Sequence, residues 1–175
     1  RTLLGVARAA RARHDHSPYP VGLSFLYYLR VLDIYPPALA RREAYRSAER
    51  EAIETVRRAP AQPEAWLRMA TVRSLLRDEA ETVIEPWRMS IFTGRTHGTL
   101  LVPRVGLGLA HLEDMDGESR SMLRDQLLLA WSLKPQDLLR ELKSRDPQLV
   151  KTRIVVGGID PEALAEMEER IEKIR

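Results

Sequence analysis

Cysteine is absent from this 175-residue sequence, and phenylalanine occurs only twice. Without thiols the chain can form no disulfide, no thiolate zinc site and no cysteine nucleophile. Aromatic residues make up 6% of the chain, so a core has to be built mainly from Leu, Ala, Val, Ile and Met. Such residues suit the packing of helix on helix better than a β-sandwich.

Positive and negative charges nearly balance, and the formal net charge is only +3. The isoelectric point is nevertheless about 9.4. Nearly all the positive charge is arginine. GC-rich codon usage produces such a composition, and so does an anionic partner such as nucleic acid, phospholipid or acidic glycan. Arg alternates with Glu along residues 41–58, which argues against one continuous nucleic-acid-binding face. A basic helical nucleic-acid-binding module is therefore kept as an alternative.

The sequence contains no uninterrupted apolar run of about 18 residues, so we expect no membrane span in it. Its most apolar stretch, residues 21–35, contains Arg30 and Asp33. The sequence begins at Arg1, and residues 1–13 are basic and free of acid. We expect an export or anchor segment upstream, although basic residues beside an anchor usually mark the cytoplasmic side. A periplasmic or membrane-anchored bacterial location is the expectation, with a cytoplasmic one as the alternative.

Prolines, glycines and Asp-Pro pairs interrupt segments of helical periodicity throughout the chain. The β-branched segment 149–156 is compatible with a strand, but a lone strand would lack a sheet partner, so a helix is favoured there too. We predict one all-α domain over residues 1–175. The predicted helices are 2–13, 21–34, 37–58, 63–77, 79–92, 100–113, 118–133, 136–143, 149–156 and one that begins at Asp160-Pro161.

Residues 57–66 resemble the junction between two tetratricopeptide repeats. In that family a proline closes one repeat and a large aromatic residue opens the next about six residues later, as Pro60 and Trp66 do here. Met69 and Ala70 match the large-then-small pair that follows, and Ala48 matches a small residue of the preceding helix. The resemblance implies that Trp66 is largely buried between the 37–58 helix and its own hairpin partner.

The sequence departs from the tetratricopeptide pattern at Arg73, where an aromatic residue is usual, and at Thr82 and Pro86 in the second helix. The resemblance covers about residues 38–135, with a weaker second unit that begins near Leu100. It implies helical hairpins over 36–135, stacked as a short solenoid or closed into a compact bundle, and capping helices over 136–175. The chain also resembles, faintly, small envelope-associated bacterial proteins of surface-polysaccharide assembly.

The resemblance implies a non-catalytic scaffold that binds a protein or peptide without a cofactor. In such solenoids the first helix of each hairpin lines a concave groove. Arg104 could hold a carboxylate through two hydrogen bonds and Gly108 could admit a partner's backbone. The alternative is that other helices cover this face. The residues placed in the groove are Leu67, Thr71, Ser74, Arg104, Gly108 and His111.

Other candidate sites are weaker. His14-Asp15-His16 offers zinc-ligand chemistry, but alternate residues do not share a helical face and a polar turn is the usual explanation, so no metal is predicted. The segment Gly106-Leu107-Gly108 is expected to permit close helix contact. No hydrolase, Walker or dinucleotide motif is present, so an enzyme would need a site assembled from distant residues. The aromatic cluster, either core or binding surface, comprises Tyr19, Phe25, Tyr27, Tyr28 and Tyr35.

Overall fold

Eight α-helices and one 3₁₀ turn make up most of the part that the computed structural model describes, residues 38–173 with side chains from residue 42 onward. This range contains no strand, so the predicted all-α class is confirmed. The predicted helices 2–13 and 21–34, the aromatic cluster and His14 to His16 lie outside it. The helices are α1 (Ala38–Arg58), α2 (Pro63–Leu76), α3 (Ala80–Thr93), α4 (Leu101–Ala110), α5 (Gly117–Leu133), α6 (Pro135–Arg145), α7 (Val150–Val156) and α8 (Pro161–Lys173).

Most helix ends lie within two residues of the predicted positions. The exception is the segment 100–113, because α4 ends at Ala110 and a 3₁₀ turn, Leu112–Asp114, follows. Segment 149–156 is a helix, as favoured. The chain divides into two compact units between Gly94 and Arg95, and each is described by itself. The single domain and the 36–135 hairpin region stay predictions.

Unit 1 contains α1, α2 and α3, of which α2 packs against both of the others. Two ion pairs join α1 to α2 and the residues that follow it. Arg46 pairs with Asp78 and Glu49 with Arg73, so α1 and α2 run antiparallel. Small residues line the contact. Ala48 and Ala70 are closed off from solvent, and Ala44 and Ala48 of α1 pack with Val72 of α2.

Trp66 is only half-buried, so the expectation that it lies in the core was wrong. Its Nε1 donates a hydrogen bond of 2.7 Å to the carbonyl oxygen of Pro60 in the α1–α2 connection. The indole therefore covers the connection with its polar edge satisfied, instead of entering the helix contact. The tryptophan that fills the core of unit 1 is Trp87 on α3, which is 1% exposed.

A proline inside α3 leaves one carbonyl of that helix without its usual donor. Pro86 has no N–H, so the carbonyl oxygen of Thr82, four residues earlier, lacks a helical hydrogen bond. Nη1 of Arg73 donates to that oxygen at 2.9 Å, while Nε of Arg73 donates to Glu49 Oε1 at 3.1 Å. One guanidinium thus connects the three helices that the structure describes in unit 1.

Unit 2 contains α4 to α8, in which α4 packs against α5 and α6, and α7 packs against α5 and α8. The buried carboxylate of Asp146 stabilises the start of α7, because its Oδ2 accepts hydrogen bonds of 2.8 Å from both the backbone N–H and the hydroxyl of Thr152. Asp160 caps α8 by accepting from the N–H of Ala163. Asp160-Pro161 therefore acts as the predicted helix start, whereas Asp146-Pro147 precedes α7, whose N-cap is Leu149. Gly106 contacts Glu141 of α6 so closely that a Cβ would overlap its carboxylate.

The difference between the two tryptophans predicts unequal losses of stability. Trp87→Ala should reduce the free energy of unfolding by about 3–5 kcal/mol, because it empties a closed core site. Trp66→Ala should cost clearly less, since the side chain is partly exposed and loses one hydrogen bond, about 0.5–1.5 kcal/mol, with part of its packing. Urea unfolding followed by circular dichroism measures both. Equal losses would contradict this placement.

A double-mutant cycle tests the bond between Arg73 and the Thr82 carbonyl. Arg73→Met should destabilise by about 1–3 kcal/mol, because it leaves that carbonyl without a donor. The N–H introduced by Pro86→Ala can satisfy the same carbonyl, so Arg73→Met should cost at least about 0.5 kcal/mol less in that background. The loss of the Glu49 ion pair cancels in the cycle. Arg46→Met is the control, and its cost should not depend on residue 86. If the losses of stability caused by Arg73→Met and Pro86→Ala are additive, the proposed hydrogen bond from Arg73 to the Thr82 carbonyl is disproved.

Candidate functional site

The groove residues predicted in unit 1 do not form an open face. Leu67 is 6% exposed and belongs to the core. Thr71 is half-buried, and its hydroxyl donates to the carbonyl oxygen of Leu67 at 2.8 Å. Ser74 is half-buried as well. The physical reason is that α2 is the middle helix of unit 1, so its neighbours cover two of its faces.

Of the predicted groove residues of unit 2, Arg104 and Gly108 are buried, and their assignment to an accessible surface was wrong. Arg104 is 0% exposed, and Gly108 is buried on the same helix. His111 is half-buried, with its Nδ1 3.9 Å from Asp114 Oδ2. Burial holds the pKa of His111 below its ordinary value, although Asp114 acts in the opposite direction. Helix α4 packs against both α5 and α6, which leaves little of its surface free.

Arg104 instead holds a buried polar network together. Its Nη1 donates to Gln126 Oε1 at 3.0 Å and, at 3.4 Å, to the carbonyl oxygen of Arg95. Nε2 of Gln126 donates to the same carbonyl at 3.1 Å, so the backbone that precedes α4 is fixed to α4 and α5 together. Gln126 is fully buried. The fixed positive charge has a structural role here, in place of the predicted contact with a ligand.

An accessible concave surface of unit 2 lies between the start of α5 and helix α7. It is a pocket of about 260 Å³, which we call the α5–α7 pocket. Its floor includes the aliphatic side chains of Leu112 and Val155, which are themselves nearly closed off from solvent, and the lining as a whole exposes more polar than apolar surface. One rim is apolar, since Ile154 is 64% exposed. The lining residues are Leu112, Gly117, Arg120, Ser121, Arg124, Ile154 and Val155.

The opposite rim of the α5–α7 pocket is cationic. Arg120 and Arg124 are four residues apart on α5 and therefore share one helical face. Nε of Arg120 donates to the carbonyl oxygen of Met115 at 3.0 Å. Nη2 of Arg124 donates to the hydroxyl of Ser121 at 3.0 Å. Each contact directs a guanidinium while leaving other N–H groups available to a ligand.

The sequence carried a partial signal for this rim. Glu and Arg or Lys recur four residues apart in α1, α6 and α8, at Glu54 with Arg58, Glu141 with Arg145 and Glu166 with Arg170. In α5 the same spacing holds two arginines, as it does for Arg42, Arg46 and Arg50 in α1, so the spacing indicates a cationic helical face and does not by itself single out this rim. The apolar rim gave no such signal, since Ile154 is some 30 residues away and its segment had no certain secondary structure.

Within the described range, no group of three or more His, Asp or Glu side chains is arranged to hold a metal ion. The same range contains no helix that is both long and apolar enough to cross a membrane. Comparison with known proteins does not assign the chain to a group, because no protein family, no curated protein and no solved structure matches it.

The burial of Arg104 changes what a charge reversal there should do. Arg104→Glu should lower the free energy of unfolding by about 3–5 kcal/mol, because it places a carboxylate against the Gln126 and Arg95 oxygens inside the protein. Arg140→Glu is the matched control, since Arg140 is exposed and pairs only with the exposed Asp137; its effect should stay within about 0.5 kcal/mol. Thermal unfolding of both variants is the measurement, and an Arg104→Glu variant as stable as the control would refute the network.

Proposed function

We propose that this chain is a non-catalytic interaction module that binds a protein partner through the α5–α7 pocket. The observation that carries the proposal is the exposure of large aliphatic side chains beside the pocket. Val150 and Ile154, four residues apart on α7, are 51% and 64% exposed. Side chains of this kind at one accessible position favour contact with another protein surface.

The pocket combines two features that protein interfaces use. Its apolar floor and the rim at Ile154 supply area that a partner can cover, and the arginines opposite supply directional hydrogen bonds. Arginine is enriched at interface positions that contribute most to binding. A scaffold in a larger bacterial, envelope-associated assembly is the setting that we propose, and it rests on the sequence resemblance alone.

Site-specific photocrosslinking tests the proposal. The complete protein carrying p-benzoyl-phenylalanine in place of Ile154 should form a discrete adduct with a protein in extracts of the source cells. The same group in place of Arg140, on an exposed face of α6, is the control and should form none. The captured protein, once identified and purified, should bind the unmodified chain, and Ile154→Asp should weaken that binding about tenfold or more because it buries a charge against the apolar floor.

Two results would contradict the proposal. One is the same adduct pattern at positions 154 and 140, which would indicate non-specific contact. The other is an adduct at position 154 that disappears after nuclease treatment, because the partner would then be recruited through nucleic acid.

A further inference from the structure

Apart from the buried Arg104, the arginines that the structure describes in unit 2 divide into two classes. Arg95, Arg140, Arg145, Arg153 and Arg170 each form an ion pair with an Asp or Glu side chain. Arg120 and Arg124 have no carboxylate within ion-pair distance among the residues that the structure describes. Both belong to the cationic rim of the α5–α7 pocket. Two guanidinium groups that lack a carboxylate partner among the described residues therefore lie together on the rim of a pocket where a ligand could supply one.

We propose that the α5–α7 pocket binds a short peptide segment of the partner in which an Asp or Glu lies next to an aliphatic side chain. This inference rests on the proposed function and names the chemistry of its ligand. The carboxylate would accept hydrogen bonds from Arg120 and Arg124, whose planar donor groups fit it in a bidentate manner. The aliphatic side chain would cover Leu112 and Val155 and contact Ile154.

The cationic rim is organised before a ligand arrives. The Met115 carbonyl holds Nε of Arg120 and the Ser121 hydroxyl holds Nη2 of Arg124, both at 3.0 Å. A long side chain that is already oriented loses less conformational entropy on binding. These contacts involve neutral oxygens, so the charge of both guanidinium groups remains uncompensated and available to a carboxylate.

The acidic residues nearest to the rim in sequence, Asp116, Glu118 and Asp125, already have other partners. Asp116 accepts the N–H of Ser119 at 2.7 Å and so caps the helix. Asp125 forms a two-point ion pair with Arg95, and this hydrogen bonding lowers the pKa of Asp125. On α7, Arg153 forms an ion pair of 2.6 Å with Glu168 of α8, so its charge is already compensated. The charge that a ligand meets at the rim is therefore that of Arg120 and Arg124.

The apolar floor favours a peptide over a phosphate-bearing polymer. A nucleic-acid backbone would satisfy the arginines but would leave Leu112, Val155 and Ile154 facing polar sugar and phosphate groups. The pocket volume of about 260 Å³ is also below the roughly 300–1,000 Å³ of sites that enclose small molecules or cofactors. A pocket of this size admits the side chains of a peptide that lies across it.

Selection from a random peptide library tests the proposed ligand. The probe is a phage-displayed library of random heptapeptides, selected on the immobilised complete chain. Enriched sequences should place Asp or Glu within about two residues of Leu, Ile, Val or Met. An enriched peptide, labelled with fluorescein, should lose at least about tenfold in affinity for the double variant Arg120→Glu with Arg124→Glu, because two attractive charge contacts become repulsive.

The matched control is Arg140→Glu with Lys143→Glu, which changes the net charge equally on an exposed part of α6 and should leave the affinity unchanged. Thermal unfolding of each double variant shows whether it is folded. If the pocket variant unfolds, Arg120→Gln and Arg124→Gln replace it, and each should weaken binding severalfold. Substituting Gln for Glu in the peptide should weaken it similarly.

Several outcomes would overturn the inference. In the selection, these are the enrichment of peptides without acidic residues or the failure to enrich any peptide. In the binding assay, it is an affinity of the pocket variant for the peptide equal to that of the unmodified chain. The last is arginine-dependent binding of a 20-base oligonucleotide or of phosphatidylglycerol vesicles in place of peptide. Concentration-dependent self-association that the pocket variant abolishes would assign the pocket to a second copy of this chain. The proposed function fails separately, because it requires the crosslink at position 154 whatever the partner's sequence.

Discussion

A polar group enclosed by packed helices has to keep a hydrogen-bond partner, and an arginine meets this demand in both units. In unit 1, Arg73 supplies the donor that Pro86 cannot give to the Thr82 carbonyl. In unit 2, Arg104 donates to Gln126 and to the carbonyl that precedes α4. An unsatisfied buried group costs about 1–3 kcal/mol, a large share of the net stability of a domain. The positions of α3 and α5 relative to their neighbours therefore depend on these side chains.

Arginines at the surface contribute much less to stability than the buried ones. An exposed i,i+4 ion pair such as Glu166 with Arg170 contributes about 0.3–0.5 kcal/mol, and a like-charged pair at the same spacing costs a similar amount. Helix α5 can therefore carry Arg120 and Arg124 together at little cost, because the burial of Leu123, Leu127 and Ala130 holds it in place. Stability neither requires nor forbids this pair, so the binding role that we propose for it does not conflict with the folding of α5.

The sequence sufficed for the all-α class and for the ends of most helices, because periodicity and Asp-Pro starts are local signals. It did not suffice for the site. Arg104 looks like any helical arginine until α5 brings Gln126 against it, and the burial of Leu67 depends on α2 being a middle helix. The predicted burial of Trp66 failed for a similar reason, since its indole N–H donates to the Pro60 carbonyl in the α1–α2 connection. Burial is decided by residues distant in sequence, which periodicity cannot reveal.

The departures from the tetratricopeptide pattern at Arg73 and Pro86 are explained by one contact. A proline within a helix removes a hydrogen bond, and an arginine in place of an aromatic residue brings charge into a helix contact. Each change alone would destabilise unit 1. Together they form the bond from Arg73 to Thr82, and Glu49 neutralises the remaining charge at 3.1 Å. A comparison with the repeat pattern position by position counts two mismatches here. In the structure the two residues belong to one set of hydrogen bonds that joins the three helices. A weak match to the repeat pattern is therefore compatible with a helical core whose polar groups all have partners at this point.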